Sequence, residues 1–376
     1  MNRRNFLINT SLSALAVGSG SSLTSCSGPI QKFGYRGRRL VIVKLDGGND
    51  GLFTILPREF DPIDSVRPNL SRAAKKDGIP VFGDWVLNTS FSQLRDLLPP
   101  DELSILPFVG YPKPNTSHFK STEIWETGAL LGNKKGKTGW LGDILDSGKL
   151  SLPENDIPVL SLTEIETLVF RSKITYGPVW LGNDSLDYYH SYISDWLNRF
   201  PDNQVQRKLI SHYNLLHSLS KLNKSDNFPS TDLGLQLSRV ASIINEERPY
   251  KVFFTSQNGY DTHSHAVERL NILYKDLSSS LVSFVKSLKS SNNWGNTLVL
   301  IFSEFGRTID ENASLGTDHG TASLCLLLGD NDIVRRYSGF IPKIEIVNQA
   351  DEAYLAHQID FRQLYLDIQN EWLLIE

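Results

Sequence analysis

The chain has 376 residues, with 38 Lys and Arg against 42 Asp and Glu and a formal net charge of -4 at pH 7. Charge this close to balance, with no long basic run, argues against a nucleic-acid partner. The length suits one large α/β domain or two small ones, and only two cysteines leave no disulfide framework to read.

The first residues, MNRRNFLINTSLSALAVGSGSSLTSC, have the layout of an export signal: a basic start with Arg3 and Arg4, then Phe6 and Leu7, then a mildly apolar Ser/Gly/Ala-rich run. The paired arginines indicate the twin-arginine route. The run is too short and too polar to be read as a membrane-spanning helix. Leu23-Thr24-Ser25-Cys26 resembles a bacterial lipobox, so Cys26 is either a lipidation site tethering the protein to a membrane or an incidental cysteine beside an ordinary cleavage site. Residues 1–26 are therefore set apart from the fold, and 27–376 are expected to form a single domain in the periplasm or cell envelope.

Short apolar runs rich in β-branched residues predict strands at 40–45, 103–109, 157–162, 250–256, 297–303 and 322–329. Helical spacing predicts helices at 204–222, 233–247 and 266–290, and a closing helix capped by Asp360. Strands alternating with helices imply an α/β fold, a doubly wound, mostly parallel sheet covered on both faces. Residues 184–232 contain no strand signal and read as a small helical cap or insertion. Cys325, inside an apolar run, reads as a small buried hydrophobe.

Ligand sites in such sheets lie beyond the carboxyl ends of strands. Five polar clusters are placed to exploit this. KLDGGNDGL at 44–52 offers Asp46 and Asp50 among glycines, with a plain Gly/Asn/Asp turn as the alternative. PNTSHFK at 114–120 opens a helix, where Ser117 or His118 could be a nucleophile or Ser117 and Thr116 simple caps. NGYDTHSH at 258–265 supplies Asp261, His263 and His265, the oxygen and imidazole ligands that borderline divalent metals favour. SEFGR at 303–307 places Glu304 just past a strand beside Arg307. GTDHGTA at 316–322 adds Asp318 and His319.

The order of twin-arginine leader, GGNDGL, YPKPNTSHFKSTEIWETG, GWLG, YDTH, SEFGRT, GTDHGTA and a late DFRQLY resembles the exported bacterial proteins of domain-of-unknown-function family 1501. That family is in turn similar to the alkaline phosphatase and sulfatase superfamily. The resemblance implies a metal site at the strand ends, with Asp46 as the first-strand aspartate, Asp261 with His265 as an Asp-x-x-x-His pair, His319 as a late ligand, and Glu304 in a ligand slot. It puts His118 at the position of the nucleophile, with Ser117 one step away, and Phe305 where a second ligand is usual. Within the family itself the Asp-Thr-His pattern favours His263 over His265. An exported partner protein is also implied.

The function expected from this is a metal-dependent hydrolase of phosphate or sulfate esters. One or two divalent ions (Zn, Mn, Ca or Mg) would be held among Asp46, Asp50, Asp261, His263, His265, Glu304, Asp318 and His319. Ser117 or His118 would attack, and Lys120 or Arg307 would stabilise the anion. The substrate would be a small-molecule or polysaccharide ester. The alternative is a non-catalytic binding or assembly protein that retains the fold, and a third reading is a polysaccharide-binding module using Trp180, Tyr188, Tyr189 and Trp196.

Overall fold

A computed structural model describes residues 34–128, 138–150, 158–163, 167–173, 179–180, 227–349 and 352–374. The leader with Cys26, the helix expected at 204–222, most of the cap and Tyr188, Tyr189 and Trp196 lie outside the described residues.

The main sheet has eight strands: β1 (Arg39–Asp46), β5 (Leu103–Gly110), β6 (Val159–Ser161), β7 (Val179–Trp180), β8 (Val252–Asn258), β9 (Thr297–Phe302), β10 (Ser323–Leu328) and β13 (Ile359–Asp360), in the order β13-β5-β10-β9-β1-β8-β6-β7. β1 is central and runs parallel to both β8 and β9, while β10 alone runs against its neighbours β9 and β5. Successive side chains of β1 enter opposite cores, Val41, Val43 and Leu45 one of them and Leu40 and Ile42 the other. This two-sided burial is why the strand reads as an unbroken apolar run.

Ten α-helices among the described residues flank the sheets: α1 (Gly51–Thr54), α2 (Asp61–Asp64), α3 (Pro68–Lys75), α4 (Ser92–Leu97), α5 (His118–Thr127), α6 (Gly142–Asp146), α7 (Asp232–Asn245), α8 (Ala266–Ser290), α9 (Asp332–Ser338) and α10 (Phe361–Asp367). Helices α7 and α8 cover one face and α5, α6, α9 and α10 the other. The expected helix at 266–290 is α8, whose Leu270, Tyr274, Leu277, Leu281, Val285 and Leu288 recur every three or four residues and are buried. Each such side chain contributes about 1.5–3 kcal/mol by leaving water. Asp360 caps α10 by accepting from the Arg362 amide, as expected from the sequence.

Two small antiparallel sheets were not anticipated: β2 (Ile55–Pro57), β3 (Ile79–Phe82) and β4 (Trp85–Leu87), and the hairpin β11 (Ile346–Gln349) and β12 (Glu352–Leu355). No helix among the described residues is long and apolar enough to cross a membrane.

The topology gathers the polar clusters. β1, β8 and β9 end at one edge of the sheet, β5 ends there too, and antiparallel β10 begins there. Segments 46–50, 111–118, 259–265, 303–307 and 316–322 therefore share that edge.

Candidate metal centre

These loops approach one another at backbone distance. A Cβ on Gly47, whose φ is +119°, would strike the backbone of Tyr260 and Asp261, and one on Gly316 would strike that of His263. Only glycine allows either contact. The 303–308 and 317–321 segments are zipped by backbone bonds from Gly306 to Thr321, Gly320 to Gly306 and Thr308 to Asp318. Arg307, buried to 2% exposure, ties the loops together: it donates to the carbonyls of Gly47, Gly48, Tyr260 and Thr317 and to Asp261 Oδ1.

Asp261 Oδ1 is the focus of the site. His263 Nε2 lies 3.0 Å from it, His319 Nε2 3.3 Å and His118 Nε2 3.6 Å, and the Nε2 atoms of His263 and His319 are 3.0 Å apart. Each imidazole has its other nitrogen against a pure acceptor. His319 Nδ1 is 2.8 Å from the Thr116 carbonyl, His263 Nδ1 is 2.8 Å from Asp318 Oδ1, and His118 Nδ1 is 2.9 Å from Glu304 Oε1. An acceptor requires a proton on the Nδ1 atom that faces it, so the neutral form of each ring turns an Nε2 lone pair toward Asp261.

Three lone pairs and a carboxylate oxygen facing one another repel unless a proton or cation lies among them. The His118 Nε2 atom is buried without a hydrogen-bond partner. Four atoms bound tetrahedrally at ~2.1 Å lie about 3.4 Å apart, and the three Nε2 atoms stand 3.0 to 3.6 Å from Asp261 Oδ1. His118, Asp261 and His319 form a group able to hold a metal ion, their ligand atoms lying within 4.8 Å of one another, and His263 Nε2 stands beside it, 3.0 Å from both Asp261 Oδ1 and His319 Nε2. The partnered second nitrogens match the outer-shell pattern that fixes metal-ligating histidines.

Electrostatics favour a cation. Among the described residues, Asp46, Glu126, Asp261, Glu304 and Asp318 face only Lys44 and Arg307 as fixed positive charges. Burial opposes the charge on Asp261, but the Arg307 hydrogen bond and charge hold its carboxyl down at about 2. Glu304 likewise stays below the usual range despite burial, because His118 and Lys44 favour its charged form. The Glu304 hydrogen bond raises His118, against a smaller effect of burial, whereas burial and Arg307 lower His319.

Other residues singled out from the sequence have different tasks. Asp50 is not at the focus: it caps α1 through Phe53 N and forms a buried pair with Arg67. Glu304 Oε1 lies against His118 Nδ1 and Gly47 N and is not among the atoms grouped around Asp261 Oδ1. Asp318 Oδ1 likewise lies against His263 Nδ1. Asp46 binds Lys44 at 2.7 Å, and burial raises its carboxyl. The His265 side chain is exposed, and its backbone, at φ 49°, starts α8. Lys120 pairs with Glu123 on the surface, and Arg307 faces carbonyls where an anion was expected. Ser117 precedes α5 without capping it. Phe305 packs its ring 4.8 Å from both His118 and His319, wedging the two imidazoles.

Sequence reasoning did not single out Lys44, Glu126 or exposed Phe119. His118, Thr122 and Glu126 are spaced four apart and share the inner face of α5. That polar stripe was the available signal.

Residues 240–331 match the family model described as "Protein of unknown function (DUF1501)". Comparison with curated proteins finds no match. Among solved structures, the chain is similar to alkaline phosphatase from the Antarctic bacterium TAB5, with 11% identity, TM-score 0.40 and coverage of 89% of this chain and 98% of that one. It is similar to the C-terminal periplasmic domain of EcEptC from Escherichia coli in complex with Zn, with 10% identity, TM-score 0.39 and coverage of 91% and 97%. It is also similar to BT1596, a 2-O GAG sulfatase, with 9% identity, TM-score 0.38 and coverage of 78% and 64%. Likeness at this level says nothing about activity.

Proposed function

We propose that the protein is an exported metal-dependent hydrolase of phosphate or sulfate esters that uses one divalent ion held by His118, Asp261, His263 and His319. The observation that carries this reading is the convergence of three Nε2 lone pairs on Asp261 Oδ1 while each Nδ1 is engaged elsewhere. Three imidazoles and one carboxylate suit Zn or a neighbouring transition metal, whereas Ca and Mg require mostly oxygen ligands.

When bound, such an ion supplies Lewis acidity that polarises an ester oxygen and makes water more acidic. The protein's own residues do the rest. Glu304, Asp318 and the Thr116 carbonyl hold the rings in the required tautomer, and Arg307 keeps Asp261 charged and in place. His118, engaged by Glu304, acts as a ligand in this reading. Ser117 is exposed at the start of α5, where unpaired helix amides favour an anion, and its hydroxyl would hydrogen-bond the phosphate or sulfate group. With no base positioned on Ser117 among the described residues, water is the attacking group. The ring of Phe119, 89% exposed next to His118, offers a stacking surface for the organic part of the ester. Export by the twin-arginine signal and anchoring at Cys26 would place this chemistry outside the cytoplasm.

The test is elemental analysis of the purified protein and of an Asp261→Ala/His319→Ala variant, followed by assays on p-nitrophenyl phosphate and p-nitrophenyl sulfate. The expected result is one ion per chain, lost in the variant together with hydrolysis. Stoichiometric metal with no turnover of any ester tried would favour the binding-protein alternative. No metal in either protein would remove the reading.

A further inference from the structure

β1 carries Lys44 and Asp46 two residues apart, hence on one face of the sheet. Over that face lies α5, with Thr122 and Glu126 one turn apart. Lys44 Nζ is 2.7 Å from Asp46 Oδ1, 3.2 Å from Glu126 Oε1 and 3.2 Å from Thr122 Oγ1. An ammonium has three N–H groups, and here each has an acceptor. The Lys44 side chain is 7% exposed and that of Glu126 5%, so the ammonium is enclosed.

Two features make this more than a buried ion pair. Glu126 is fixed independently of Lys44, since it accepts from Thr167 Oγ1 and Leu168 N. Its carboxyl group is therefore held in position by bonds that do not involve Lys44. Asp46 also adjoins Gly47, whose amide donates to Glu304 Oε1, the carboxylate that orients His118. The Lys44 position is thus linked to the metal centre through one residue of backbone.

We infer that Lys44 occupies a second cation position at this centre, its ammonium sitting where Asp46, Glu126 and Thr122 would otherwise hold a divalent ion. The inference rests on the proposed metal centre and fixes its stoichiometry at one. It also explains why Asp46, at the end of the central strand, faces Lys44 and leaves the His118–Asp261 group to bind the ion. An enclosed ammonium with all protons engaged offers no coordination position to a substrate oxygen, so any Lewis-acid action comes from the single ion.

The experiment is equilibrium dialysis of the full chain against Zn chloride, and separately Mn chloride, with bound metal counted by mass spectrometry. Wild type, Lys44→Met and Lys44→Met/Asp46→Asn are compared, with Lys44→Gln as a second neutral variant and circular dichroism as the check on folding. The expected counts are one, two and one, with Lys44→Gln also at two. Two ions in wild type, or one in the folded Lys44 single variants, would overturn the inference and leave the metal centre standing. No ion in wild type but one in Lys44→Met would uphold the role of Lys44 while removing the His118–Asp261 centre. No ion in any of them would remove both.

Discussion

Replacing Glu304 by Gln separates a ligand from an orienting group. The carboxylate accepts from His118 Nδ1 and from Gly47 N, both at 2.9 Å, and is 2% exposed. Gln keeps the volume and one acceptor oxygen but loses the charge. A hydrogen bond to a charged group contributes about 1.5–3 kcal/mol and a neutral one about 0.5–1.5 kcal/mol, so roughly 1–2 kcal/mol is lost at the His118 contact. Loss of an outer-shell partner lowers metal affinity about 10–100-fold, or about 1.4–2.7 kcal/mol, which agrees. The assay is a competition titration with a chromophoric chelator at fixed pH, with circular dichroism as control. Glu304→Gln is expected to bind one ion 10–100-fold more weakly. Abolished binding in a folded variant would make Glu304 a direct ligand, and unchanged affinity would deny it any part.

Asp50→Asn is expected to leave the metal count unchanged while destabilising the fold by about 3–5 kcal/mol in denaturant titrations, because it strips Arg67 of its buried partner; loss of metal without loss of stability would return Asp50 to the site. Metal affinity should fall as pH drops through the His118 pKa, which the Glu304 hydrogen bond raises, because ion and proton compete for Nε2. In the ion-free protein the sign is the usual one for a raised histidine. The stabilisation from its protonation is complete below the unfolded pKa and is lost as pH rises through the folded one. Calorimetry in buffers of different ionisation enthalpy measures the proton release, and its absence at low pH would contradict the assignment. Phe119→Ala should raise KM for aryl or glycosyl esters several-fold with kcat unchanged, and a KM equal to wild type would exclude stacking there.

The central strands were legible because both of their faces are buried, and α8 because its apolar residues keep a helical period over 25 residues. The residues that converge on Asp261 Oδ1 were legible by type, since Asp and His beyond strand ends are the side chains borderline divalent metals favour. Their roles were not. Residue type does not encode side-chain direction. Glu304 and Asp50 both follow strands, yet one turns inward to His118 and the other to Arg67 and a helix start. Lys44 was not singled out, since a single lysine within an apolar strand makes no polar cluster of its own. Its spacing of two from Asp46 was the clue. The small sheet β2-β4-β3 was missed because its strands are only three or four residues long, too short for alternation to register.

Arg307 gives the sharpest contrast between what a sequence suggests and what a fold requires, since an arginine beside Asp/His motifs invites assignment as an anion clamp. Its guanidinium instead serves four backbone carbonyls and Asp261, with the side chain fully enclosed. Lysine at this position would keep the charge but has three donors and no planar fork. At least two of the five acceptors would lose their partner, at about 1–3 kcal/mol for each buried one. Arg307→Lys should therefore lower stability by roughly 2–6 kcal/mol in denaturant titrations. Metal affinity should fall with it, because the loops bearing Gly47, Asp261 and Thr317 are no longer tied together. A variant of wild-type stability that still bound its ion but had lost affinity for phosphate or sulfate would show that the side chain faces substrate, and the tying role would have to be given up.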